Sequence, residues 1–273
     1  MTEPVPVITD SSSYPGISVI TINRPHRRNA VDPLTAKALY EAILGFENDP
    51  DQKVCILVGA GSSFCAGADL HSVARADENT PSDNLKPVSG RNLGPMGPSR
   101  LIIKKPVICA ISGYAVAGGL ELSLLGDMRV VEEDAVFGVF CRRWGVPLID
   151  GGTVRLQAIV GLGRALDMIL TGRPVSAQEA LAMGLASRVV PKGESLKEAL
   201  GIAQQLISFP QLCLNTDRKP CYYSAYEASS FQDAMSKEFD SGNEVISKEA
   251  IAGAVKFSKG LGRHGSFKNH SKL

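Results

Sequence analysis

The chain has 273 residues, 44% of them hydrophobic and 21% charged, and its 29 Lys and Arg against 28 Asp and Glu leave a net charge of +1. Such a chain can bury a sizeable core, and near-neutrality excludes binding to nucleic acid or to an acidic membrane through bulk charge. No apolar run approaches the roughly 18 residues of a membrane span, and the start MTEPVPVITD carries acids and no basic apolar signal, so a secretory or mitochondrial presequence is not expected there.

Six cysteines (Cys55, Cys65, Cys109, Cys141, Cys213, Cys221) form no C-x-x-C pair and lie mostly in apolar runs, as reduced, buried thiols do. The four histidines are scattered, so no protein-held metal is expected.

In chain order, Val5 to Ile8 and Ile17 to Ile22 read as strands around the turn-rich SSSYPG. The polar, basic loop NRPHRRNAVD follows. Asp32 before Pro33 is a helix start, and Leu34, Ala38, Ala42 and Phe46, with Leu39 and Ile43, give one buried face of a helix running to about Asn48. Lys53 to Val58 is the next strand, leading to GAGSSFCAGADL, with a glycine turn around Ala66 to Asp69 and a short helix beyond. The segment from Arg75 to Ser99 is polar and rich in Pro, Gly, Asn and Asp. It is expected to be a long mobile loop, either a pocket wall or plain surface.

The strand Val107 to Ile111 then hands over to GYAVAGGLELSLLGD. Gly113, Gly118 and Gly119 let the backbone turn closely into an apolar helix whose unpaired N-terminal amides suit a partial negative charge. Glu121 lies in the first turn among Leu120, Leu122, Leu124 and Leu125, an ionisable group in a segment otherwise built for burial. The same residues also fit close packing and a helix-dipole preference alone. Strands at Met128 to Val131 and Val136 to Val139 follow, and Gly151 to Val160 opens the next helical stretch. The repeated β, β, α pattern implies a layered α/β core.

After Ser176 the chain reads as helical almost throughout, with AQEALAMG ended by Gly184 and helices at Ser195 to Ile207, Leu212 to Tyr226, Phe231 to Phe239 and Ser247 to Lys259. The expected organisation is a core over residues 1–195, a helical region over 196–260 and a flexible tail over 261–273. Ser271, Lys272 and Leu273 read as the tripeptide recognised by the peroxisomal import receptor, implying a peroxisomal protein.

TINRPHRRNAVD, SSFCAGADL, ISGYAVAGGLELSLLGD, FGVFCRRWGVPLIDGGTVRL and LTGRPVSAQEALAMGLASRVV, in this order between about Tyr14 and Lys259, resemble the crotonase superfamily, the enoyl-CoA hydratase/isomerase family. The resemblance implies a superhelix of ββα turns with a helical C-terminal oligomerisation region, a homotrimer or hexamer, and an acyl-CoA thioester substrate. Coenzyme A enters only as part of that substrate, and no other cofactor is implied.

The resemblance also implies an oxyanion hole formed by the amides of Ala66 and Gly118, CoA contacts from Ala66, Gly67, Ala68 and Asp69, and an approach of the nucleotide phosphates to His26, Arg27 and Arg28. In solvent those three are ordinary loop residues. Glu121 matches one of two hydratase glutamates, but the place of the other is held by Cys141, whose thiol is a poor substitute for a carboxylate that must activate water. Asp150, nine positions on, falls near the catalytic aspartate of the dienoyl-CoA isomerase branch, although it would also serve as an N-cap to the following helix. The resemblance therefore implies an enzyme acting on an enoyl-CoA through an enolate, with hydration or dehydration somewhat ahead of double-bond migration by Asp150 and Glu121. A non-catalytic acyl-CoA-binding member is the further alternative.

Overall fold

The computed structural model describes residues 5–75 and 85–260; the Ser271 to Leu273 signal lies outside the described residues. Strands β1 (Val7–Asp10) and β2 (Ile17–Ile22) form an antiparallel hairpin. From β2 the sheet continues in parallel through β3 (Val54–Gly59), β4 (Val107–Ile111), β6 (Met128–Glu132) and β9 (Arg188–Val190). β3 and β4, VCILVG and VICAI, are buried almost throughout, as central parallel strands covered on both faces must be.

A second sheet contains β5 (Tyr114–Val116) parallel to β7 (Val136–Gly138), with β8 (Val175–Ser176) antiparallel on the far side. Cys65 extends it by a parallel bridge to Ala115. In successive repeats the first strand joins the large sheet and the second joins the small one, which is the expected ββα repetition. The mixed α/β class is thus as the sequence indicates.

Between the strands run α1 (Pro33–Asn48), α2 (Leu70–Val73), α3 (Gly118–Ser123), α4 (Gly152–Val160), α5 (Leu162–Thr171), α6 (Ala177–Ala182) and α7 (Ser195–Ile207). α1 starts as its sequence dictates: Asp32 Oδ1 accepts hydrogen bonds from the Thr35 amide (2.8 Å) and the Thr35 hydroxyl (2.7 Å), and Pro33 occupies the first turn. No helix among the described residues is long and apolar enough to cross a membrane.

The chain divides into two compact units, with the division after Ala203, inside α7. The second unit contains α8 (Gln211–Tyr226), α9 (Phe231–Val245), a π turn over Ile246–Ala250 and α10 (Ile251–Ser258). Its α8 begins without a side-chain cap from Pro210; Glu249 in the π turn accepts from the Leu212 (3.3 Å) and Cys213 (2.8 Å) amides instead.

Several boundaries differ from expectation. The first strand is shifted to Val7–Asp10 because its register is set by pairing Val7 with Ile22 rather than by its own apolar pattern. β5, β8 and β9 are too short to show a period of two, and Gly161, at φ 84, breaks one helical stretch into α4 and α5. The expected mobile loop between Arg75 and Ser99 is corrected for its described part. Arg91 pairs with Glu47 and its carbonyl accepts the Tyr40 hydroxyl (2.7 Å), while Gly94 and Gly97 exchange amide hydrogen bonds of 2.9 Å. Met96 and Ser99 are each only 1% exposed. Prolines and glycines here build a tight turn that packs into the core, so polarity and turn residues misidentify it as surface.

Candidate active site

The loop Cys65 to Asp69 and the start of α3 are brought together by backbone pairing. Cys65 donates to the Tyr114 carbonyl (2.9 Å) and accepts from the Val116 amide (3.1 Å), while Gly67 accepts from the Val31 amide (2.8 Å). Two glycines make the approach possible. A Cβ on Gly67, whose φ is +99, would lie 2.9 Å from the Gly118 nitrogen, and one on Gly119 would collide with the Cys65 carbonyl oxygen. Ala117, which precedes α3, has φ 52, a left-handed value that is costly for a residue with a side chain.

The amides of this loop are not equivalent. Ala66 donates to the Arg28 carbonyl (3.0 Å) and Gly67 to the Cys65 sulfur (3.4 Å), while the Ala68 and Gly118 amides have no partner among the described residues. The expected assignment of Ala66 as an oxyanion donor is therefore corrected: its N–H is consumed in holding the basic loop. The free donor two residues on is Ala68, whose neighbours bond to Val31 on either side of it.

Glu121 is 2% exposed, and one carboxylate oxygen accepts the Asp150 (2.9 Å) and Gly152 (2.8 Å) amides at the entry to α4. A Cβ on Gly152 would lie 2.9 Å from that oxygen, so glycine is needed for the approach. The other oxygen, Oε2, accepts no hydrogen bond from a described residue. Burial, reinforced by the negative charge of Asp150, raises the Glu121 carboxyl to about 7 despite the two amides.

Asp150 is 4% exposed and does not cap α4, whose N-cap is Gly151 at φ 93. Its Oδ1 instead accepts from the Met96 amide (2.9 Å) and the Ser99 hydroxyl. Burial holds its carboxyl above the usual range, against the pull of these donors and of Arg100 and Arg155. Cys141, in the 3-10 turn Phe140–Trp144, is buried, and desolvation and then the Glu121 charge raise its thiol. It thus stands in the electrostatic range of Glu121 as a neutral group.

The expected nucleotide-binding residues separate into two kinds. His26, Arg27 and Arg28 are exposed, and their side chains have no hydrogen-bond or ion-pair partner among the described residues. Asp69 is buried: Arg24 bridges it (3.1 Å) to Asp32 (3.0 Å), and its Oδ1 accepts the His71 amide at the start of α2 (3.1 Å). Burial works to raise the Asp69 carboxyl, but Arg24 and that amide outweigh it and hold it below the ordinary range. Asp69 therefore shapes the loop, with its carboxylate already engaged.

The residues that sequence reasoning missed are Ala68 as the free donor and Arg24, Met96 and Ser99 as supports. Only the G-x-x-G spacing of Gly94 and Gly97 around Pro95 and Met96 hinted at an ordered turn. A cleft of about 550 Å³ elsewhere, beside Gly59, Gly113 and Glu132, contains none of Ala68, Gly118, Glu121 or Asp150. Its ionic groups are already paired, Lys192 with Asp134 (2.7 Å) and Glu132 with the Ser195 hydroxyl (2.8 Å). No cluster of His, Cys, Asp and Glu that could hold a metal occurs among the described residues.

The model of the enoyl-CoA hydratase/isomerase family matches residues 12–255. The chain is 39% identical over 195 residues to enoyl-CoA hydratase EchA19 of Mycobacterium tuberculosis, covering 69% of this chain and 70% of that one. It is 36% identical over 200 residues to carnitinyl-CoA dehydratase of Salmonella typhi, covering 71% and 72%. Among solved structures, enoyl-CoA hydratase EchA1 of Mycobacterium marinum superposes with a TM-score of 0.84 at 29% identity, covering 94% of this chain and 97% of that one. With its ββα repeats, its glycine-lined amides and a buried glutamate in the same helix, this chain belongs to the enoyl-CoA hydratase/isomerase family of enzymes.

Proposed function

We propose that this enzyme adds water to, or removes it from, an enoyl-CoA thioester, with Glu121 as the proton-transferring group and the Ala68 and Gly118 amides as donors to the thioester oxygen. The observation that carries the reading is the state of Glu121. It is buried and pinned by two amides through one oxygen, and among the described residues neither its other oxygen nor the Gly118 amide that begins the same helix has a hydrogen-bond partner. A carboxyl titrating near neutrality can accept and return a proton in one cycle. Glu121 takes a proton from water as the oxygen bonds to C3; the electron pair moves to the thioester oxygen, where the two amides hold the enolate; the same proton then returns to C2. The exposed Arg27 and Arg28, which have no ion-pair partner among the described residues, supply cations for the CoA phosphates.

Conversion of an enoyl-CoA to a product heavier by one water, lost in Glu121→Gln, is the expected result. Hydration unchanged by that substitution overturns the assignment. A second reading, double-bond migration, is favoured by Cys141, a neutral thiol where a second acid would assist water. It predicts an isomer of unchanged mass from the same assay. Acyl-CoA binding without turnover of either kind would instead support the non-catalytic alternative.

Self-association into a trimer or hexamer is supported by exposed apolar side chains on α5 (Leu162, Leu166, Leu170) and α9 (Phe231, Met235, Phe239), and is measured by light scattering. The proposal also includes peroxisomal import where Ser271, Lys272 and Leu273 end the mature chain; a fluorescent fusion should lose its peroxisomal location when Leu273 is deleted.

A further inference from the structure

Asp150 carries more structure than a proton-transferring group needs. Its Oδ1 accepts from two groups of one segment, the Met96 amide (2.9 Å) and the Ser99 hydroxyl, and Gly94 lies directly over this junction, where a Cβ would be 3.3 Å from Oδ1 and would collide with the Ser99 oxygen. The segment is a closed turn: Gly94 and Gly97 bond to each other in both directions, and Pro95 and Met96 form its tip. Arg155, one turn into α4, donates to the Ser99 (2.7 Å) and Leu101 (3.0 Å) carbonyls and so fastens the other end of the segment to the same helix.

The consequence is felt at Gly118. The Met96 side chain is 1% exposed and packs on the Gly118 Cα, where a Cβ would lie 2.7 Å from Sδ and 3.0 Å from Cε. The Asp150 amide meanwhile holds Glu121 Oε1 (2.9 Å). One residue thus ties the segment that covers Gly118 to the backbone that orients Glu121, and an acceptor with two donors on one oxygen is a fastening of fixed geometry.

We propose that Asp150 is a positioning residue: its carboxylate fastens the Gly94–Gly97 turn to the start of α4 and thereby holds Met96 against Gly118, while the proton transfers belong to Glu121. This rests on the Glu121 reading above, but the fastening itself is tested without activity. Asparagine keeps an acceptor in the place of Oδ1 and removes the acid; alanine removes both.

Met96 oxidation by dilute peroxide, followed by peptide mass spectrometry, should be slow in the wild type and in Asp150→Asn and at least tenfold faster in Asp150→Ala. In parallel, kcat for an enoyl-CoA should stay within about threefold of wild type in Asp150→Asn and fall by about 10² in Asp150→Ala. Should Asp150→Ala not fold, Ser99→Ala, which removes one donor, must raise Met96 oxidation by itself. Protection of Met96 in all variants overturns the fastening. Loss of kcat in Asp150→Asn as deep as in Asp150→Ala, with Met96 still protected, makes Asp150 an acid or base and overturns the division of labour. Unchanged activity in Glu121→Gln would sink the Glu121 reading alone and leave the oxidation result to judge Asp150.

Discussion

Burying Glu121 should make the protein less stable as the pH rises, and replacing it with glutamine should remove that dependence. A carboxyl near 7 in the folded chain against an ordinary 4.5 keeps a proton that the unfolded chain gives up, so the folded state is favoured below pH 4.5 and loses that advantage as the pH rises to about 7. The difference is worth up to about 3 kcal/mol of cost above pH 7, at about 1.4 kcal/mol per pH unit, and only about 1 kcal/mol at pH 5. Glutamine retains an oxygen for the Asp150 and Gly152 amides and carries no charge. Glu121→Gln should therefore be more stable than wild type at pH 8 by up to about 3 kcal/mol, with the gap closing toward pH 5, while kcat falls by about 10²- to 10⁴-fold. Urea unfolding of both proteins across pH 5 to 8 measures the gap. A gap that is independent of pH, or a variant less stable at pH 8, would refute the claim that an ionised carboxyl is being held in a dry site.

The rate profile should follow the same group: kcat/KM is expected to have a limb near pH 7, which moves to lower pH in Asp150→Asn as the adjacent negative charge is removed. Ala68→Pro removes an amide hydrogen that bonds to no described residue and should lower kcat by about 10²- to 10³-fold. Ala66→Pro removes the hydrogen bond to the Arg28 carbonyl, costing about 1 kcal/mol of stability, so thermal melts and kinetics together distinguish the two alanines. Arg27 and Arg28 changed together to Gln should raise KM for the CoA thioester on the order of tenfold with kcat unchanged, and should leave turnover of a pantetheine thioester lacking the nucleotide untouched. Asp32→Ala, which loses the cap of α1, should cost about 1 kcal/mol in chemical denaturation.

Glu121 was legible in the sequence because a charged residue inside GGLELSLLG breaks an otherwise apolar pattern, and the glycines before it announce a close approach of backbone. The ββα repetition was legible for a related reason: the buried parallel strands β3 and β4 are continuous apolar runs that local pattern reveals. Ala66 and Ala68 could not be told apart, since both are small residues in one glycine turn. Which amide is free depends on the Arg28 carbonyl and the Val31 strand edge, partners more than thirty residues away. The turn at Gly94 to Gly97 failed for the opposite reason. Its composition is that of surface loops, and what makes it interior is an acceptor at Asp150 and a hydroxyl at Ser99 that meet only once the chain has folded. Sequence therefore exposes a site where chemistry violates a local rule, as Glu121 does, and conceals it where ordinary residues gain their role from a distant partner. Met96 is the sharper case, because a methionine flanked by Pro and Gly violates nothing, yet its 1% exposure and its seat on Gly118 put it beside one of the two amides on which the proposed chemistry turns.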